Sequence, residues 1–139
     1  MAYPKVESMI FKGKSGQIKA SILTTERSSE KSNAKLAVVR PGAGYSCKEP
    51  LLYFAIPILL KKNFKVLAID KIYGDDPEWT KIPTMEGALK VVEEDSVQLF
   101  SEIKEKFQTE AHTLLGRSLG TYAIACVLEK RLISPQQIV

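Results

Sequence analysis

Five residues, Gly116-Arg117-Ser118-Leu119-Gly120, have the spacing that presents a serine as a nucleophile. In Gly-x-Ser-x-Gly the serine sits on a sharp turn between a strand and a helix. The flanking glycines are needed because the turn packs too closely for side chains. The helix N-terminus beneath the serine favours negative charge there. The context such a turn requires is present on both sides. His112-Thr113-Leu114-Leu115 reads as a strand, and Thr121-Tyr122-Ala123-Ile124-Ala125 as the start of an apolar helix. The chemistry this permits is acyl transfer from an ester or thioester to the serine and then to water.

Acyl transfer also needs two backbone N–H groups aimed at the developing oxyanion. One comes from the residue after the nucleophile, here Leu119. The other is expected from a loop that follows a buried strand, and Pro41-Gly42-Ala43-Gly44-Tyr45-Ser46 is such a loop. Its glycines let the backbone approach a substrate. Tyr45, Tyr73 and Trp79 fall where a pocket would open, or where loops need packing residues.

These motifs must be positioned by the rest of the chain. Val6 to Phe11 and Gln17 to Thr25 read as two strands of a hairpin around Lys12-Gly13-Lys14-Ser15-Gly16. Leu36-Ala37-Val38-Val39 and Val66-Leu67-Ala68-Ile69 are continuous apolar runs, as in strands buried on both faces. Between them, Glu49 to Asn63 reads as a helix buried on much of its surface. Tyr73 to Pro83 reads as a loop. In Thr84 to Phe107, Leu89, Val92, Leu99, Phe100, Ile103 and Phe107 make one apolar stripe, with Thr84 as N-cap. Ser118 to Lys130 is a further helix, and Gln137-Ile138-Val139 begins another strand. Strands alternating with helices must cross over and pair in parallel. The class is α/β, a single domain over 1–139, with a mostly parallel sheet, an antiparallel N-terminal hairpin and helices on both faces.

On the motifs at 41–46 and 116–120 and on this element order, the chain resembles the N-terminal portion of the α/β-hydrolase superfamily. The resemblance implies strand order 1-2-4-3-5-6 and a backbone oxyanion hole. The family's loop often reads His-Gly-x-Gly; here Pro41 replaces the histidine and Gly42-Ala43-Gly44 matches the remainder. By that match Ala43 gives the second oxyanion N–H, with Gly44 and Tyr45 as alternatives if the loop is shifted by one. The resemblance also implies an acid after the seventh strand and a histidine after the eighth. The chain stops as the sixth begins. Its one histidine, His112, starts the strand that leads to Ser118, and four extended residues span about 13 Å. Asp70, Asp75 and Asp76 follow the fourth strand and read as turn and surface residues. The expectation is a chain cut short, inactive alone; a partner that completes the site, or a hydrolase-like scaffold without activity, remain open.

Composition narrows the alternatives. The 139 residues carry 20 Lys and Arg against 16 Asp and Glu, a net charge of +4 with no dense basic run. A nucleic-acid face is not expected. The longest apolar stretch, Leu51 to Leu60, is too short to span a bilayer. Cys47 and Cys126 lack metal spacing, and a reduced cytoplasmic protein is expected, with neither cofactor nor metal. Gly42-x-Gly44 followed by Asp70 shares spacing with a dinucleotide-binding fingerprint, but Cys47 stands at the third glycine position. Lys12-Gly13-Lys14-Ser15 has a phosphate-loop ending without its upstream glycine. An incipient last strand would leave an open sheet edge, so edge-paired homo-oligomers are expected; a monodisperse monomer in sedimentation would contradict this.

Overall fold

The computed structural model describes residues 4–13, 16–26, 35–40, 50–71, 73–107, 113–116, 119–129 and 137–138. The chain begins with β1 (Lys5–Gly13) and β2 (Gly16–Thr24), which pair antiparallel from Lys5↔Thr24 to Gly13↔Gly16. Gly16 holds a φ of 133°, a conformation that side chains rarely adopt, where the hairpin turns back. β3 (Leu36–Arg40), α1 (Pro50–Lys61) and β4 (Lys65–Ile69) follow. After a 3-10 turn at Tyr73–Asp75 come the short α2 (Pro77–Thr80) and the long α3 (Met85–Phe107). β5 (Thr113–Gly116), α4 (Leu119–Glu129) and β6 (Gln137–Ile138) complete the order.

The six strands form one sheet in the order β1-β2-β4-β3-β5-β6. β3 pairs in parallel with β4 and β5, and β5 with β6, while β2 meets β4 antiparallel. The expected mixed sheet is therefore present, with its expected strand order. The parallel part follows from its connections, because each passes through a helix or a long crossover.

β3 is buried along its whole length, and its residues divide between two cores. Leu36 and Val38 join Phe11, Ile18, Leu67, Ile69 and Leu114 under Leu99, Phe100 and Ile103 of α3 and Ile124 of α4. Ala37 and Val39 join Val66, Ala68 and Leu115 under Leu60 of α1. Helices thus cover both faces, which is why β3 and β4 carry no polar alternation. In β2 the alternation survives, with Ile18, Ala20 and Ile22 all on the α3 side.

Two local sequence signals fix the helix ends. Gly87 donates its N–H to Thr84 Oγ1 at 3.0 Å, so Thr84 caps α3 as expected. Beyond α1, Asn63 sits at φ 65° while its N–H reaches Leu60 O (3.0 Å) and that of Phe64 reaches Leu59 O (3.1 Å). This left-handed cap turns the chain sharply into β4, with Phe64 buried in the α1-side core.

Two expectations need correction. α1 is less buried than its apolar sequence suggests, since Tyr53, Phe54 and Ile58 lie exposed on its outer side. One face of the helix is enough to cover the strands beneath it. The segment 73–83 is also not simply a loop. Asp76 Oδ1 accepts from Glu78 N at 3.0 Å, and Pro77 sets the first helical position, so α2 forms within it. Among the described residues, no helix is long and apolar enough to cross a membrane.

Candidate active site

Between β3 and β5 the sheet changes winding direction: β4 lies on one side of β3, β5 and β6 on the other. In open α/β sheets the crevice for ligands forms at the carboxyl ends of the strands at such a point. Here the facing residues at those ends are Arg40 and Gly116. β5 ends at Gly116 and α4 starts at Leu119, so only Arg117 and Ser118 separate strand from helix. Ser118 itself lies outside the described residues, as do Ala43, Gly44 and Tyr45 of the loop after β3, and also His112 and Cys47. Leu119 is described as the first residue of α4, in the turn whose N–H groups have no partner within a helix.

Gly116 has no room for a side chain. A Cβ there would lie 2.7 Å from Ile124 Cδ1 and 3.0 Å from both C and O of Gly120. The backbone of Gly120 therefore packs directly against Gly116.

Beside this turn lies a group of buried polar residues that the sequence reading did not single out as a unit. Arg40 and Asp95 are fully buried and Tyr73 is 1% exposed. Arg40 Nη2 donates to Tyr73 Oη at 3.1 Å, and Tyr73 Oη donates to Asp95 Oδ2 at 2.9 Å. The direction is forced. A guanidinium has only donors, so the hydroxyl accepts from it and passes its single proton to the carboxylate. Burial, with Asp95 adding to it and Arg40 opposing, pushes the Tyr73 hydroxyl far above its usual pKa and keeps it protonated. Its ring packs among Val92, Ala123 and Trp79, with Arg40 Cζ 5.6 Å and Lys71 Nζ 5.2 Å from its centre. Tyr73 thus turns out to be a buried packing residue with a polar tip.

Signals for this group did exist. Asp95 lies on the buried stripe of α3, between Val92 and Leu99, where an unpaired carboxylate would be costly. Arg40 extends an otherwise apolar strand by one residue.

The acidic residues after β4 behave as turn and surface groups. With Gln17, Lys19 and Lys71, residues Asp70, Asp75 and Asp76 line an open cleft of about 330 Å³ beside the hairpin. Asp76 caps α2 and pairs with Lys71 Nζ at 2.9 Å. The hydrogen bond from Lys71 is the main reason its carboxyl titrates below the ordinary carboxylate range. That contribution is complete above the pKa of an unfolded Asp and is lost as the pH falls through the lowered folded value. Asp76→Ala should therefore cost about 1 kcal/mol in urea unfolding at neutral pH and little near pH 2. A second substitution probes the turn. Gly116→Ala should destabilise by about 1–3 kcal/mol, because Ile124 can yield but the Gly120 backbone cannot; denaturant titration reads this directly.

No family model matches the sequence, and no curated protein does. Solved structures do match. Dienelactone hydrolase from Anabaena variabilis superposes with a TM-score of 0.68 at 13% identity, over 94% of this chain and 60% of that one. An esterase from Pyrococcus furiosus gives 0.63 at 16% identity, over 94% and 49%. A cold-adapted esterase from an Arctic intertidal metagenomic library gives 0.66 at 13% identity, over 96% and 59%. The chain thus spans about half to three fifths of the length of these structures. β2 runs antiparallel beside β4, where a dinucleotide-binding sheet would add another parallel strand. By its sheet order, its connections and these superpositions, the chain has the α/β-hydrolase fold.

Proposed function

We propose that this chain carries the nucleophile and oxyanion hole of a serine hydrolase acting on a small ester or thioester. The observation that carries the reading is the contact between Gly116 and Gly120. It brackets a two-residue connection from β5 to α4 at the switch point of the sheet, and Ser118 is the second of those residues. Ser118 Oγ attacks the carbonyl carbon, and its proton passes to a histidine base. The N–H groups of Leu119 and Ala43 receive the oxyanion. Collapse of the tetrahedral intermediate breaks the bond to the leaving alcohol or thiol, which takes up the proton. Water, activated by the same base, then releases the acid. Gly44 and Tyr45 are the candidate substrate-lining residues of this reading.

The base and its carboxylate partner come from outside these 139 residues. His112 is the one histidine in the sequence, and it precedes Thr113 at the amino end of β5, whereas Ser118 follows its carboxyl end. That composition also favours a second reading, a hydrolase-like scaffold without turnover. A cytoplasmic location is part of the same proposal.

A fluorophosphonate probe on the full-length protein separates the two readings. Labelling at Ser118, abolished in Ser118→Ala and accompanied by esterase turnover at least about 10³-fold above the variant, is the expected result. Equal labelling of the Ser118→Ala variant would sink the assignment, and absent labelling would favour the scaffold.

A further inference from the structure

β1 is an outermost strand of the sheet, and its far edge meets no other strand among the described residues. Which of its backbone groups point that way follows from the ladder. Lys19 O accepts from Asp70 N at 2.8 Å, so Lys19 turns its backbone groups towards β4. Its partner in β1, Ile10, therefore turns its own N–H and C=O away from β2. In an antiparallel ladder every second residue does the same, which makes Val6, Ser8, Ile10 and Lys12 the outward set. Lys12 agrees with this parity, since its N–H leaves the ladder and reaches Glu102 Oε2 of α3 at 2.8 Å.

This edge has fixed limits. At one end Glu102 takes up the last outward N–H, and at the other Pro4 has no N–H to offer. Between them the N–H and C=O groups of Val6, Ser8 and Ile10 face outward with no partner among the described residues. The side chains of these three share one face of the strand, opposite to the buried Phe11. Val6 and Ile10 are 57% and 53% exposed on it. Edge strands that avoid other chains carry charges along such a face. Here the nearby charges lie elsewhere: Lys5 and Glu7 stand on the Phe11 face, paired with each other at 2.8 Å.

We propose that β1 is a homodimer interface, at which two copies of the chain pair antiparallel about a two-fold axis through Ser8. In this register Val6 faces the partner's Ile10, Ser8 faces the partner's Ser8, and Ile10 faces the partner's Val6. Both outward groups of all three residues are then paired in each copy. Lys12 falls opposite the partner's Pro4, where neither residue has an N–H left to give, so the ladder stops at the same place in both copies. Sliding one strand by two residues leaves the Ile10 or the Val6 carbonyl unpaired. It also sets these apolar side chains against serine, proline or lysine. The two-fold register instead gathers Val6 and Ile10 of both copies on one face, the kind of cross-strand pairing that stabilises a sheet. Such an interface closes at two subunits, and its small area places it among the weak, reversible ones. At the opposite edge the described β6 is only Gln137–Ile138, too short for a ladder of this length. The inference holds whether or not Ser118 is a nucleophile.

Sedimentation equilibrium of the full-length protein should show a reversible monomer–dimer equilibrium. Ser8→Lys and Ser8→Glu, at an exposed position, each set like charges opposite one another at the axis. Each should weaken self-association at least about fivefold at low salt. An equimolar mixture of the two variants should associate at least as tightly as the parent, because lysine then faces glutamate. That rescue requires Ser8 to face its own copy. Hydrogen exchange gives a second reading: the Val6, Ser8 and Ile10 amides should slow as concentration rises, while the Lys12 amide, already bonded to Glu102, should not change. A parent that stays monomeric at about 1 mM overturns the proposal, as does a dimer indifferent to both variants. Variants that the mixture fails to rescue, or an open-ended polymer, overturn it as well. Should either variant lose its circular dichroism, exchange in the parent decides alone: slowing at these three amides supports the interface, and exchange independent of concentration overturns it.

Discussion

Between Gly116 and Gly120 there is room for backbone and nothing else. Carbonyl and strand end meet near 3.0 Å from where a side chain would begin, and Ile124 fills the remaining space at 2.7 Å. This contact sets the angle at which α4 leaves β5. α4 then packs against α3 beneath one face of the sheet, through Ile124 on one side and Ala123 on the other. The sheet end, the first turn of the helix and the face that α3 must cover are thus geometrically linked. A larger residue at Gly116 would move all three.

The same corner of the molecule is where its buried electrostatics concentrate. Three elements distant in sequence, the end of β3, the turn after β4 and the middle of α3, each send one polar side chain inward. They form a directed chain from guanidinium to hydroxyl to carboxylate. The proton arrangement along these two hydrogen bonds is fixed, and the chain therefore helps specify how the three elements dock. It also explains why α3 tolerates an aspartate on its apolar stripe, since the carboxylate receives the only proton that Tyr73 can offer. Across the sheet, Ala37, Val39, Val66, Ala68 and Leu115 form an apolar cluster with Leu60 and Phe64.

Much of this was legible in the amino-acid sequence. The hairpin, the buried strands and α3 announce themselves through periodicity and caps, because each depends on neighbours within a few residues. Thr84 is read correctly as a cap for that reason. What periodicity cannot supply is pairing at a distance. Arg40 belongs to β3 only because Gly116 lies opposite it, and Asp95 is acceptable only because Tyr73 arrives from another segment. The short α2 was missed because its cap, Asp76, is one of several polar residues in a stretch rich in turn formers. The exposed side of α1 was missed because an apolar sequence does not reveal which of its faces will find a partner. The resemblance carried the strand order, and of the proposed site residues only Leu119 falls within the described part of the fold.

The hairpin at the start of the chain bears on how the molecule assembles in time. β1 and β2 need only a tight turn to find each other, and such closures take microseconds. The parallel pairs are of another kind: Ala37 must find Val66 across α1, and Val38 must find Leu114 after three helices have been laid down between them. Pairing over such distances is slow, because loop entropy is lost before contact energy is gained. The edge of β2 that will receive β4 is therefore available early, and it waits for its partner. Arg40 and Gly116 come together only when the last of these long-range ladders closes. Until then the guanidinium remains in water, and its burial belongs to the final stage of folding.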